Sequence, residues 1–240
     1  MTVIPYKNRE AGKKEQVETM FDAISPKYDF LNHFLSAGID IRWRKKAIKL
    51  LSKESPKTIL DVATGTGDFA IAALETGAEK ITGVDISGGM LRVGNEKIRK
   101  LGLQDKIELK KGDSEKLDFP AESFNAVTVA FGVRNFENLE KGLIEMRRVM
   151  KEEGTLVVLE FSKPATFPVK QFYNFYFKYI LPLVGKIISK DNRAYTYLPE
   201  SVKAFPQGEE FLKILEKTGF KSVRWIPLTF GISSIYTARK

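Results

Sequence analysis

From Lys57 onward, strand-length hydrophobic runs alternate with amphipathic runs of helix length, the order that builds a parallel sheet covered by helices on both faces. Strands are predicted at 58–62, 80–85, 106–110, 124–130 and 154–161, and helices at 68–75, 88–101 and 139–150. The run Leu156-Val157-Val158-Leu159 has no polar alternation, so the fifth strand should be covered on both sides. After Pro164 the rhythm breaks into about forty residues rich in Phe, Tyr and Lys, a helical insertion at 165–205. A short amphipathic helix at 209–218, stopped by Gly219, and strands at 223–228 and 232–238 close the chain. The first fifty residues read as helical, with a cap at Ser25-Pro26, and form a lid or arm over the sheet. The pattern therefore predicts a doubly wound α/β fold, divided into an N-terminal helical segment at 1–52 and a sheet domain at 53–240.

Composition narrows the chemistry. Hydrophobic residues make up 43% and charged residues 29% of 240, enough apolar matter for a full core. The absence of cysteine removes disulfide frameworks, thiolate zinc sites and cysteine nucleophiles together. With His33 as the only histidine, a His-rich metal site is excluded as well. The net charge of +9 favours a polyanion, an anionic membrane face or a phosphorylated substrate. Nucleic acid is disfavoured, because the basic residues are scattered and neither an RNA-binding signature nor the Asn/Asp-Pro-Pro-Tyr/Phe motif follows the fourth strand. Residues 1–16 are polar and lysine-rich, unlike a secretory signal, so a cytoplasmic location is expected. The apolar stretch 172–188 is interrupted by Asn174, Lys178, Pro182 and Lys186 and is not expected to span a bilayer.

The candidate chemistry lies at strand ends, where open α/β sheets bind ligands. Gly65-Thr66-Gly67 follows the first strand, and Asp85 ends the second strand twenty residues past Gly65, where a carboxylate can accept both hydroxyls of a ribose. A dinucleotide fingerprint would place a third glycine where Ala70 stands, a change that some dinucleotide folds tolerate, and a P-loop would need Gly-Lys-Ser/Thr. Asp61 and Asp68 flank the turn, which suits a cation better than a pyrophosphate and points to the sulfonium and ammonium of S-adenosylmethionine. Asp113 and Ser114, after the third strand, are placed to select the adenine. With Asp61, Gly65, Gly67 and Asp85 all intact, a catalytically dead binding module is the weaker reading.

Three segments carry a narrower match. They are Tyr28-Asp29-Phe30-Leu31-Asn32 running through Leu35-Ser36 to Trp43, Phe131-Gly132-Val133-Arg134-Asn135, and Arg148 to Gly154 continuing through Leu159-Glu160-Phe161-Ser162-Lys163-Pro164. Through them the chain resembles the class I S-adenosylmethionine-dependent methyltransferases, and within these the ubiquinone/menaquinone biosynthesis C-methyltransferases. The resemblance implies a Rossmann-like, seven-stranded, mostly parallel sheet with an N-terminal helical lid and a helical insertion after the fifth strand. It implies methyl transfer from S-adenosylmethionine to a ring carbon of a reduced polyprenyl quinone, foremost demethylmenaquinol, with a benzoquinol or another small acceptor as the alternative.

The chain departs from the family pattern at Asp40, where a histidine is common, and at Glu152-Glu153-Gly154, where Gly-Gly after the basic residue and a proline is common. A catalytic role of that histidine therefore does not transfer. Ionising a phenol of pKa near 10 at pH 7 costs roughly 4 kcal/mol. Arg134, a permanent cation past the fourth strand, is the candidate to lower that cost, and Asn135 to orient the quinol oxygen. The base is expected to be a water held by Asp29 or Asp40, or His33 itself. Phe172, Tyr176, Tyr179, Leu183 and Ile187 recur at helical spacing beside Lys170, Lys178, Lys186 and Lys190. That stripe is plain core, an isoprenoid channel, or a peripheral face for anionic lipid. Association into a homo-oligomer is left open.

Overall fold

A computed structural model describes residues 3–6, 10–36, 38–180 and 193–240. Its seven-stranded sheet runs in the order β3 (Ile107–Lys111), β2 (Lys80–Asp85), β1 (Thr58–Val62), β4 (Phe124–Ala130), β5 (Met150–Phe161), β7 (Ser233–Arg239) and β6 (Lys221–Leu228). Neighbours from β3 through β5 pair in parallel, whereas β7 is antiparallel to both β5 and β6. The chain order reverses between β1 and β4, and the crevice beyond the carboxyl ends of such strands is where ligands are held.

Strand side chains alternate between two cores. Leu60, Val62, Val127, Val129, Leu156 and Val158 face one, with α6 (Leu139–Val149) and α9 (Glu209–Lys217) laid over it. Ile59, Ala126, Val157 and Leu159 face the other, with α4 (Asp68–Ala73) and α5 (Gly88–Lys100). Burial on both faces is why these strands read as unbroken hydrophobic runs.

Of the N-terminal segment, α3 (Ile39–Leu51) belongs to the second core: Trp43, Ala47, Ile48 and Leu51 are buried there at helical spacing. The actual cover is α1 (Lys13–Ile24), a 3₁₀ turn at Ser25–Lys27 and α2 (Tyr28–Leu35). Asp22 ties this cover to the start of α5, accepting from the Ser87 hydroxyl at 2.6 Å and the Gly89 amide at 2.8 Å.

Strand β5 starts four residues before the expected one. Its opening residues include Lys151, Glu152 and Glu153, which have no partner in the register between Met150 and Thr155; Glu153 takes left-handed backbone (φ +60°), so the polar residues form the irregularity and regular pairing with β4 resumes at Thr155. The insertion contributes α7 (Val169–Phe175), a π-helical turn at Tyr176–Ile180 and α8 (Arg193–Ala204). Of the stripe, Phe172 and Tyr179 are exposed and not core, whereas Tyr176 is partly buried and packs against the cluster of Tyr6, Val17, Met20, Ala194 and Tyr197. Leu183, Lys186, Ile187 and Lys190 lie outside the described residues. Among the described residues no helix is long and apolar enough to cross a membrane.

Candidate functional site

Beyond Val62 the chain leaves β1 through Ala63, Thr64, Gly65, Thr66 and Gly67 and enters α4. Gly65 (φ +58°) and Gly67 (φ +81°) take left-handed backbone that side chains disfavour, and nothing lies within 4 Å of where a Cβ on Gly65 would stand. The amides of Gly65 and Ser87 donate to separate oxygens of Asp85 at 2.8 Å each. The carboxylate thus braces the loop and keeps further lone pairs for a ligand. Ala70, at the third-glycine position, is fully buried against the sheet.

Three clefts meet over this edge. The first, about 690 Å³ with its open mouth, is lined by Gly65, Asp85, Asp113, Ser114 and Asn135, under Lys14, Val17 and Phe21 of α1. A second, about 750 Å³, is mostly apolar, with Met20, Phe21, Ile24, Phe131, Phe161 and Leu198 around Asp40, Arg44, Arg134 and Tyr197. A third and smaller one lies along the glycine loop and includes Arg44, Asp61, Thr66 and Asp68. Tyr28 and Phe131 line all three.

The carboxylates named from the sequence have distinct surroundings. Asp61 is buried and accepts from Thr64 at 2.6 Å and Thr128 at 2.7 Å. Asp68 pairs with Lys97 at 2.5 Å and lies 3.9 Å from Arg44, so the acidic flank read from the sequence is partly neutralised. Lys97 and Arg44 were not singled out, although Arg44 stands four residues after Asp40, the spacing of a helical ion pair. Asp29 does not line the second, apolar cleft: it accepts from the Thr66 hydroxyl and pairs with Lys97 at 2.6 Å, pinning α2 to the glycine loop. Asp40 does line that cleft, bonded to Arg44, to Ser36 at 2.6 Å and to His33 Nδ1 at 3.0 Å. His33 Nε2 is 3.6 Å from Asp68, so the imidazole bridges two carboxylates. Asp113 accepts from Lys14 at 2.7 Å, a strap from α1 across the first cleft, and Ser114 lines that cleft beside it.

Arg134 and Asn135, adjacent in the chain, separate in space. Asn135 lines the first cleft and Arg134 the second. Arg134 donates to the Phe131 carbonyl and to Glu160 at 2.8 Å, and Glu160 is fully buried. Sequence reasoning missed Glu160 as its partner, although one carboxylate inside the apolar run 156–161 was a signal, since buried charges are paired. Burial pushes the Glu160 carboxyl up, and the Arg134 charge holds it down. Tyr28 shows what a phenol meets here: burial raises its pKa, while a hydrogen bond to Asn32 and the charges of Arg134 and Arg44 lower it.

These residues fit S-adenosylmethionine. Asp85 suits the ribose hydroxyls, Asp113 and Ser114 stand by for the adenine, and the third cleft offers Arg44 to a carboxylate and acidic oxygens to an ammonium. Asn135 Oδ1 and Arg44 Nε are buried without a partner, as expected of groups that meet a ligand.

Burial, the leading cause, raises both Asp85 and Asp61 to about 6. Protonated Asp85 loses acceptor capacity, so S-adenosylmethionine affinity is expected to fall as pH drops through about 6. Folded-state pKa values above the usual 3.8 mean that these two groups stabilise the unliganded fold most below that value. That contribution is lost as pH rises through 6. Calorimetric titration and melting between pH 8 and 4 should therefore show affinity and the apo-stability contribution running in opposite directions, and pH-independent affinity would refute the assignment.

The model of the ubiE/COQ5 methyltransferase family matches residues 9–240. The chain is 53% identical over 237 residues to a demethylmenaquinone methyltransferase of Bacteroides fragilis, covering 98% of this chain and 96% of that one. It is 43% identical to a ubiquinone/menaquinone biosynthesis C-methyltransferase UbiE of Geotalea daltonii, covering 95% and 97%. Among solved structures, the [4+2]-cyclase SpnF superposes with a TM-score of 0.67 at 17% identity, over 96% of this chain and 97% of that one. At that identity the likeness speaks for the fold alone, the class I methyltransferase fold expected from the sequence.

Proposed function

Because the chain belongs to the ubiE/COQ5 methyltransferase family, we propose that it methylates a ring carbon of demethylmenaquinol, using S-adenosylmethionine, to give menaquinol. One observation carries the reading from the structural side. A cleft built around Asp85 and an apolar cleft holding Arg134 meet at Tyr28 and Phe131.

S-adenosylmethionine supplies an electrophilic methyl group on a cationic sulfur. Asp85, Asp113 and Ser114 hold its nucleoside, while Asp61, Thr66 and Arg44 border its amino-acid end. Arg134 faces the quinol oxygen and favours its ionised form, which makes the neighbouring ring carbon nucleophilic. Phe131 and Phe161, with ring centroids 4.4 Å apart, form the wall against which the ring system lies. Asp40, lowered chiefly by Ser36 and Arg44 against its own burial, is a weak base alone, so it orders a water or works with His33, to which it is bonded. Asn135 orients groups on the cosubstrate side of the junction. As a lid, α1 and α2 exclude water, and alignment of the reactants contributes about 7–11 kcal/mol.

The acceptor is apolar, and the insertion offers a surface for meeting it. Phe167, Phe172, Phe175 and Tyr179 are exposed next to Lys170 and Lys178, a peripheral face for anionic lipid. The test is incubation with labelled S-adenosylmethionine and a naphthoquinol or benzoquinol carried in anionic or neutral vesicles. Label should appear in the naphthoquinol, faster from anionic vesicles. Preferential labelling of the benzoquinol would establish the alternative acceptor class, and equal rates from both vesicles would remove the lipid-facing role.

A further inference from the structure

Among the described residues, four buried side-chain polar atoms have no hydrogen-bond partner: Arg44 Nε, Arg134 Nε, Asn135 Oδ1 and Tyr197 Oη. All four residues line the clefts described above. Asn135 belongs to the nucleoside cleft, and Arg44 is shared with the cleft along the glycine loop. Arg134 and Tyr197 remain on the acceptor side. Tyr197 sits on α8, within the insertion, and is 3% exposed. It packs with Met20 and Ala194 in a small buried cluster, and its hydroxyl finds no hydrogen-bond partner there. A buried hydroxyl left unsatisfied is destabilising, a cost that a phenylalanine at this position would avoid.

Resting on the quinol reading above, we infer that Tyr197 is an acceptor-binding residue, whose hydroxyl bonds the quinol oxygen farther from the methylated carbon while Arg134 holds the nearer one. The chemistry of a 1,4-diol calls for two unlike partners. Ionising the oxygen beside the unsubstituted carbon makes that carbon nucleophilic, whereas ionising the other activates the prenylated carbon. A permanent cation at one oxygen and a neutral hydroxyl at the other separates these outcomes. Burial raises the Tyr197 phenol to about 12 against the pull of Arg134, so it keeps its proton and acts as a neutral partner.

The test pairs Tyr197→Phe with two acceptors: 3-prenyl-1,4-naphthalenediol, and 3-prenyl-1-naphthol, which lacks the hydroxyl beside the prenyl group. With the diol, the variant is expected to lose about tenfold in kcat/KM, mainly through KM. With the mono-ol it should stay within twofold of the parent, because the bond it removes is already missing. Calorimetric affinity for S-adenosylhomocysteine, unchanged within twofold, shows that the cosubstrate cleft is intact. Equal loss on both acceptors would mark Tyr197 as merely structural, and no loss on the diol would remove it from the site; either overturns the inference. A parent protein inactive on both acceptors would overturn the quinol reading itself, and this inference with it.

Discussion

Replacement of Arg134 by alanine is expected to lower kcat by about 10²–10³, the range typical of losing one preorganised stabiliser of developing negative charge. Affinity for S-adenosylmethionine should stay within twofold, because Arg134 does not line the cleft around Asp85. The variant will also be less stable. Glu160 is fully buried, and leaving such a group without its cation typically costs about 3–5 kcal/mol. The double variant Arg134→Met with Glu160→Gln removes the stranded charge and should recover much of the melting temperature without recovering turnover. If turnover returns with the fold, Arg134 serves the structure alone and its assignment to the quinol oxygen fails.

Asp85→Ala should have the opposite signature. The carboxylate accepts amides from Gly65 and Ser87 and faces the cleft with its remaining lone pairs. Hydrogen bonds to a charged acceptor contribute about 1.5–3 kcal/mol each, so losing two to a ribose weakens binding by roughly a hundredfold or more. At saturating S-adenosylmethionine, kcat should change only a few fold, since Asp85 does not line the cleft holding Arg134. Calorimetry showing undiminished affinity would disprove the ribose assignment, and tight binding of NAD or ATP by the parent protein would disprove the cosubstrate.

Much of this was legible along the chain because the relevant signals are local. The glycines of the β1–α4 turn, the acid at the end of β2 and the apolar runs of β1, β4 and β5 each act within a few residues of their own position. Where a boundary moved, a single pair before an irregularity carried it, as at Met150, which pairs with Phe124 ahead of the unpaired Lys151 to Glu153. The site was harder to read. Asp29 and Asp40 look alike in sequence, both polar positions in an N-terminal helical segment. One is tied to Thr66 and Lys97 and the other opens onto the acceptor cleft, a distinction set by how α2 and α3 lie on the sheet. Arg134 could be named, but Glu160, 26 residues away, could not be matched to it without the β4–β5 pairing.

The sequence by itself determined the order of strands and helices, the glycine turn and acid at the sheet edge, and the family, since periodicity, turn chemistry and motif spacing are written in neighbouring residues. Only the tertiary structure decided which charges are spent on the protein and which are left for a ligand. Lys97, Arg44, Lys14 and Glu160 approach their partners through packing between distant elements. An ionic contact depends on separations of a few ångströms, which chain position does not specify.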